Sequence, residues 1–318
     1  MDIETFKQHG LDQAWGDLHA QDYAVNGRSN AEILQVLDTI GDVQYHPCAE
    51  AYVATDVPHG EVVRFKGWDQ STVYSATRRD IWVYRSSGGD AAQPLNLMVF
   101  NDGPGYLARG GAVRATTVLD NLIHAGELPP TLGVFINPGL PPGVELPAIG
   151  QRPDPLAMQQ RSVEYDSCHD AYLRFLLDDI LPFVTSELDV RLNEDPATRT
   201  ICGISSGGIC AFNAAWHGPE HFGRVISHCG SFTNIRGAHN YPYLIRSTPR
   251  KPIKVFLQSG ALDADIVTGS WVLANQQMAA ALDFAGYNHR FEFGTGGHNL
   301  RHGGALFADT LRWLAGDS

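Results

Sequence analysis

The strongest constraint on how this chain can fold is an alternation that begins near residue 60. Short apolar runs recur along it, LNLMVF, LGVFIN, TRTICG, VISHCG, IKVFLQSG and RFEFG, with helical periodicity between several of them. Continuous apolar runs of this length read as strands buried on both faces. Strands that alternate with helices imply a mostly parallel sheet with helices on both faces. Ahead of them, EVVRF and RDIWVYR alternate in polarity, as the two strands of an antiparallel hairpin do. Helical patterns are expected over 166–188, 206–217, 272–285 and 304–315. In the first of these, Cys168, Tyr172, Phe175, Leu176 and Ile180 form one apolar face. Ligands of such sheets bind beyond the carboxyl ends of the strands, so the loops there are the place to look for chemistry.

Residues 1–58 read differently. Ser29 and Glu32 form a capping box ahead of Ile33, Leu34, Leu37 and Ile40, which share a helical face. The expected organisation is an N-terminal helical and irregular arm over 1–58 and an α/β domain over 59–318. The arm would pack on that domain or join two copies into a homo-oligomer. A chain of 318 residues can bury the core this requires. The net charge of −12 argues against nucleic acid or an anionic membrane as a partner, since both need a basic face. The opening MDIETFKQHGLDQAW lacks an apolar targeting core, and no apolar run approaches the length of a membrane span. The five cysteines are odd in number and contain no C-x-x-C pair. Reduced thiols and a cytoplasmic location are therefore expected.

Between the strand TRTICG and the helix GGICAFNAAWHG lies Gly203-Ile204-Ser205-Ser206-Gly207. It satisfies G-x-S-x-G with Ser205 at the centre. A serine on a sharp strand-to-helix turn needs small residues two positions to either side, and its hydroxyl then sits at a helix N-terminus. Ser206 in that role would place Ile204 where a small residue is required, so Ser205 is the expected nucleophile. The backbone N–H of Ser206 then becomes half of an oxyanion hole. A serine nucleophile needs a base and a group to orient it, usually in the order Ser, acid, His on this kind of sheet. The loop after IKVFLQSG offers Asp263 and Asp265, and the loop after RFEFG offers His298 and His302. His298 is preferred as base because it stands in a glycine-flanked turn just past its strand, which leaves His302 for the pocket rim. The His298–His302 spacing would bring two metal ligands together only on a helix, and the surrounding glycines argue for a loop. No metal is expected.

Taken together, RRDIWVYR, VFNDGPGYL, CGISSGGICAFNAAWHGPEHFGRVISHCGSF and GGHNLRHGGA resemble an esterase family of the α/β-hydrolases. That family includes enterochelin esterases, esterase D, feruloyl esterases and mycolyltransferases. The resemblance runs from about residue 60 to 315 and does not clearly cover the arm. It implies the α/β-hydrolase fold: a mostly parallel central sheet, an antiparallel N-terminal hairpin and helices on both faces. It implies Ser205 as nucleophile, His298 as base and Asp263 as acid, with Asp265 in reserve. It also places a second oxyanion donor in NDGPG. There the residue after the aspartate–glycine pair is Pro104, which has no N–H. Gly105 is the expected donor, or Gly103 if the loop turns earlier. RSVEYD resembles a pocket segment with Arg161, Glu164 and Tyr165 near the nucleophile. A mutual surface salt bridge of Arg161 with Glu164 is the alternative reading. Tyr106, Trp271 and His302 complete the expected pocket.

The expected chemistry is hydrolysis of a small-molecule carboxylic ester through an acyl-enzyme, without a cofactor. The substrate would be a sugar, aryl (feruloyl-like) or siderophore-type ester. An acyltransferase using the same three residues and a non-catalytic binding protein on the same scaffold are the competing readings.

Overall fold

The computed structural model describes residues 39–87, 93–145 and 154–316, together with two short paired strands, Ala24–Val25 and Arg28–Ser29. The helix expected from the Ser29 capping box lies outside the described residues, except for Ile40, which opens the short 3-10 turn Ile40–Asp42.

The elements follow in the order β1 (Glu61–Trp68), β2 (Arg79–Arg85), β3 (Asn96–Asn101), α1 (Gly103–Leu107), α2 (Ala115–His124) and β4 (Thr131–Ile136). Next come α3 (Pro155–Tyr165) and α4, which runs through Ala171–Arg174, a π-helical stretch Phe175–Ile180 and Leu181–Leu188. The rest are β5 (Arg199–Ile204), α5 (Ser206–His217), β6 (Arg224–His228), α6 (Tyr241–Ser247), β7 (Lys254–Gly260), α7 (Trp271–Phe284), β8 (His289–Gly294), α8 (Arg301–Ala305) and α9 (Phe307–Ala315).

The strands form one eight-stranded sheet in the order β1-β2-β4-β3-β5-β6-β7-β8. β2 is antiparallel to both β1 and β4, and every later pairing is parallel. The expected hairpin and parallel body are both present. Helices cover both faces, which explains why the strands read as unbroken apolar runs. Along β3, Leu97 and Val99 enter the core beneath α4 and α5, while Met98 and Phe100 enter the core beneath α2 and α9.

Three boundaries differ from the sequence reading. The helix expected over 166–188 begins only at Ala171, because Tyr165 ends a separate helix that Asp154 caps through Leu156 N at 2.8 Å. The intervening turn is closed by Ala171 N donating to His169 Nδ1 at 3.2 Å. The closing helix is two helices that meet at Leu306. Gly103-Pro104-Gly105 reads as a loop yet opens α1, since a proline in the first helical turn has no N–H that the helix needs. Among the described residues, no helix is long and apolar enough to cross a membrane. All five cysteines are unpaired by disulfide.

Candidate active site

Ser205 stands at the junction of β5 and α5 with φ 59° and ψ −124°. A non-glycine residue rarely adopts this conformation, which costs of order 1–3 kcal/mol and is held only where the surroundings enforce it. The enforcing contacts are visible. Ser205 N donates to the carbonyl of His228 at the end of β6 (2.9 Å), and Ser205 O accepts from Ser231 N (3.1 Å). A Cβ on Gly203 would collide with the Gly207 carbonyl, and one on Gly207 would press on Asp102 Oδ2 at 3.0 Å and Asn101 Cβ at 3.2 Å. The two glycines of the motif are therefore required by close backbone approach.

The loops after β7 and β8 bring the other two groups to the same edge of the sheet. His298 Nε2 lies 2.8 Å from Ser205 Oγ, and His298 Nδ1 lies 2.6 Å from Asp263 Oδ1. Asp263 also accepts from Ala264 N on Oδ1 (2.8 Å) and from the Ser259 hydroxyl on Oδ2 (2.6 Å). Burial pushes the Asp263 carboxyl up, but the charge and hydrogen bond of His298, with the Ser259 and Ala264 bonds, outweigh it and hold the group below the ordinary carboxylate value. An ionised Asp263 accepts only, so His298 carries its proton on Nδ1 and leaves Nε2 to accept from Ser205. Asp265 is instead exposed, on a short ribbon of two two-residue strands where it pairs in register with Ser270.

The residues expected around the nucleophile divide into two groups. Arg161 remains partly accessible and grips Asp102 with two bonds, Nε–Oδ1 at 2.9 Å and Nη2–Oδ2 at 2.7 Å. The other expected pocket residues are buried as supports, and this corrects their assignment. Glu164 does not pair with Arg161. Its carboxylate is buried against Arg79 (2.7 and 3.0 Å) and accepts from Gly139 N and Gln160. Tyr165 is buried and its hydroxyl accepts from Asp102 N at 3.2 Å. Tyr106 is buried with its hydroxyl 2.9 Å from His228 Nδ1. Trp271 is buried too. It donates to Ser231 Oγ (3.1 Å), which lies 3.3 Å from Ser205 Oγ, and it meets the His298 ring edge-on. His302 stacks under Tyr45 and accepts on Nδ1 from Gln258 Nε2 at 3.2 Å. Bulky aromatic and charged residues close to a nucleophile in sequence suggest a pocket, but sequence does not show which side of the backbone they take.

The NDGPG turn also differs. Asp102 adopts a left-handed conformation and α1 starts at once, so Gly105 N donates to Asp102 O at 3.0 Å. Gly105 is thereby occupied. The Gly103 amide has no acceptor among the described residues, and its carbon packs against the backbone of Phe135 and Ile136.

Sequence reasoning missed Asp166, which is buried beside Ser206 with both carboxylate oxygens outside hydrogen-bond geometry. Burial pushes its pKa up to about 6, although Arg161, the nearby Ser206 and Ser162 hydroxyls and Arg236 oppose the shift. A raised carboxyl destabilises the fold where it is ionised in both states, above about pH 6. The penalty disappears as pH falls below the ordinary value of 3.8. Asp166→Asn is therefore expected to be more stable than the native protein in urea unfolding at pH 7.5, with the two curves converging near pH 4. Equal stability at pH 7.5 would show that the ionised carboxylate carries no penalty.

Among the described residues, Cys229 Sγ and ligand atoms of Asp263 and His298 fall within 4.8 Å of one another, a spacing a metal could use. The fit is poor. Burial and the neighbouring Asp263 push the Cys229 thiol up, away from the thiolate a metal requires, and Asp263 and His298 are already bonded to each other.

A sheet of this order, with a strained serine after its fifth strand, is that of the α/β-hydrolases. The chain belongs to the family described as "Putative esterase", whose model matches residues 74–314. Iron(III) enterobactin esterase of Dickeya dadantii (strain 3937) is 26% identical over 252 residues, 74% of this chain and 52% of that protein. The enzyme of the same name from Escherichia coli (strain K12) is 27% identical over 180 residues, 56% of this chain and 37% of its own. The chain thus spans about half or less of the curated relatives it matches. Among solved structures, enterochelin esterase from Shigella flexneri superposes with a TM-score of 0.62 at 22% identity, covering 85% of this chain and 61% of that one. A ferulic acid esterase of the anaerobic fungus Anaeromyces mucronatus gives 0.60 at 14% identity, covering 87% and 99%.

Proposed function

We propose that the protein is a serine esterase that cleaves carboxylic esters through an acyl-enzyme, with residues 59–318 as its catalytic unit. The observation that carries this reading is the unbroken hydrogen-bonded path Asp263–His298–Ser205, which ends on a hydroxyl held in a strained turn at a helix N-terminus. His298 accepts the Ser205 proton as the oxygen attacks the ester carbonyl, and Asp263 stabilises the imidazolium that forms. The oxyanion faces the N–H of Ser206, the first residue of α5, and that of Gly103. His298 then returns the proton to the leaving alcohol and activates the water that releases the acid. The names of the relatives and neighbours favour aryl (feruloyl-like) or siderophore-type esters, with sugar esters also to be assayed. The Arg161–Asp102 pair, partly open to solvent, is the polar group best placed to meet such a substrate.

The test is fluorophosphonate labelling followed by an ester panel of p-nitrophenyl, acetyl-sugar, feruloyl and catecholate substrates, with and without added alcohol. The expected adduct is on Ser205. In a structure of that adduct the phosphoryl oxygen should lie about 2.7–3.1 Å from the N–H groups of Ser206 and Gly103. A protein that is neither labelled nor active on any panel ester is not a serine esterase. Acyl transfer to the alcohol at the expense of free acid would make it a transferase.

A further inference from the structure

The segment that precedes the sheet is laid across the loop that carries His298. Asp42 is fully buried, and its carboxylate is met by hydrogen-bond donors. It is satisfied by donors from two directions. Thr39 donates its N–H (2.9 Å) and its hydroxyl (2.6 Å) to Oδ2. From the other side, the N–H of Gly297, the residue immediately before His298, reaches Oδ1 at 3.1 Å and Oδ2 at 3.2 Å. The side chain of Asn299, immediately after His298, also favours the ionised form. Burial pushes the Asp42 carboxyl up, but these hydrogen bonds together hold it below the ordinary value. The same segment grips the loop a second time. Tyr45 accepts on its hydroxyl from Thr295 N at 3.0 Å, and Thr295 Oγ1 donates to the Gly41 carbonyl at 2.8 Å. The fit leaves no slack, since a Cβ on Gly296 would strike Asp42 Oδ1. On its opposite side the loop accepts Leu262 N on the Gly296 carbonyl at 3.1 Å, one residue before Asp263.

We infer that Asp42 is a positioning residue for His298: the 39–45 segment clamps the 295–297 loop against the loop of Asp263 and so fixes the imidazole between Asp263 and Ser205. This rests on the proposed esterase reading. The physical reason for a carboxylate there is that a single ionised group accepts several backbone and side-chain donors at once and binds each more strongly than a neutral acceptor would. The glycines of the loop, needed for close packing, otherwise leave it conformationally free. A shift of about 1 Å in a reacting group can cost on the order of 10²-fold in rate.

Asp42→Asn keeps the shape but removes the charge, and with the amide oxygen held where Thr39 donates twice, its NH₂ sets a donor against the Gly297 N–H in place of Oδ1. In this variant kcat on p-nitrophenyl acetate and the rate of fluorophosphonate labelling should fall by about 10²-fold, with KM held within about twofold, as expected when an interaction made at the reacting centre is lost. The downfield proton resonance of the His298–Asp263 hydrogen bond should broaden or disappear. Tyr45→Phe, which keeps the stack on His302 and removes only the hydroxyl, should show a smaller loss of the same kind, and it carries the test if Asp42→Asn does not fold. A purely structural role predicts a lower Tm with kcat and the downfield proton intact below the transition, and that result overturns the inference. If native Ser205 is labelled and the variants are labelled equally fast, the clamp fails while the esterase reading stands. If native Ser205 is not labelled, the esterase reading itself fails.

Discussion

Ser205→Ala is expected to remove essentially all ester hydrolysis and all fluorophosphonate labelling while folding like the native protein. The alanine keeps the Cβ and therefore the backbone strain at φ 59°, and it loses only the 2.8 Å contact to His298 and the 3.3 Å contact to Ser231. His298→Ala is expected to be equally damaging, and the double variant little worse than either. A nucleophile without its base and a base without its nucleophile are the same broken unit, so their losses do not add. The residual rate, about 10³–10⁴ over water, would come from binding and the oxyanion donors. Ser205→Gly separates chemistry from strain. It should be as inactive, yet more stable by about 1–3 kcal/mol, because glycine reaches this conformation without the steric penalty. The measurements are steady-state rates, the mass of the labelled peptide and thermal melts. An adduct on Ser206, or a glycine variant less stable than the native protein, would mean that the strained turn is not the nucleophile's seat. Ser206→Ala should keep most activity, since its side chain is turned to the buried Asp166 and its proposed part is played by the backbone.

The sheet was legible because its strands are buried on both faces, which leaves continuous apolar runs whose signal survives without any alignment. The groups at the strand ends were legible for a related reason. G-x-S-x-G states a steric requirement that Gly203 and Gly207 meet, and Asp263 and His298 each follow their strand by a few residues. What could not be read was the direction in which side chains leave the backbone once the chain doubles back. Glu164 and Arg161 are three apart on one helix and look like partners, but the helix presents Arg161 to Asp102 and Glu164 to Arg79. The NDGPG turn was misjudged because glycine and proline suggest a loop, whereas proline at the second helical position is compatible with a helix start and commits Gly105 N to Asp102. Asp42 was invisible for another reason. Thr39 is a local partner, but the Gly297 N–H that ties Asp42 to the His298 loop lies more than 250 residues away in the chain, and nothing in the local pattern T-I-G-D announces it.

Asp263→Asn is expected to lower kcat by about 10³-fold, toward the lower end of what losing a triad carboxylate costs. The size of the loss depends on how the amide turns. Were its NH₂ to face His298, it would donate to Nδ1, shift the imidazole to the other tautomer and leave a proton on Nε2, where none can be accepted from Ser205. The neighbours oppose that orientation. Ala264 N donates at 2.8 Å to the same oxygen that receives His298 Nδ1, so an NH₂ there would meet two donors. Ser259 lies 2.6 Å from the other oxygen, and its hydroxyl can rotate to accept from an amide. The asparagine should therefore keep its oxygen toward His298 and preserve the tautomer, and the loss comes from the missing charge opposite the imidazolium. Adding Ser259→Ala removes one of the two guides and should deepen the loss toward about 10⁴-fold. If the double variant is no slower than Asp263→Asn, Ser259 does not guide the amide. The stability effect has a definite sign. Asp263 lies below its ordinary value in the folded state, so it contributes stability that is fully present above the ordinary carboxylate pKa and lost as pH falls through the depressed folded value. Asp263→Asn should thus melt below the native protein at pH 7, and the gap should close on acidification. A gap that widens toward acid would show that the buried carboxylate is a burden on the fold and that its pairing with His298 does not offset its desolvation.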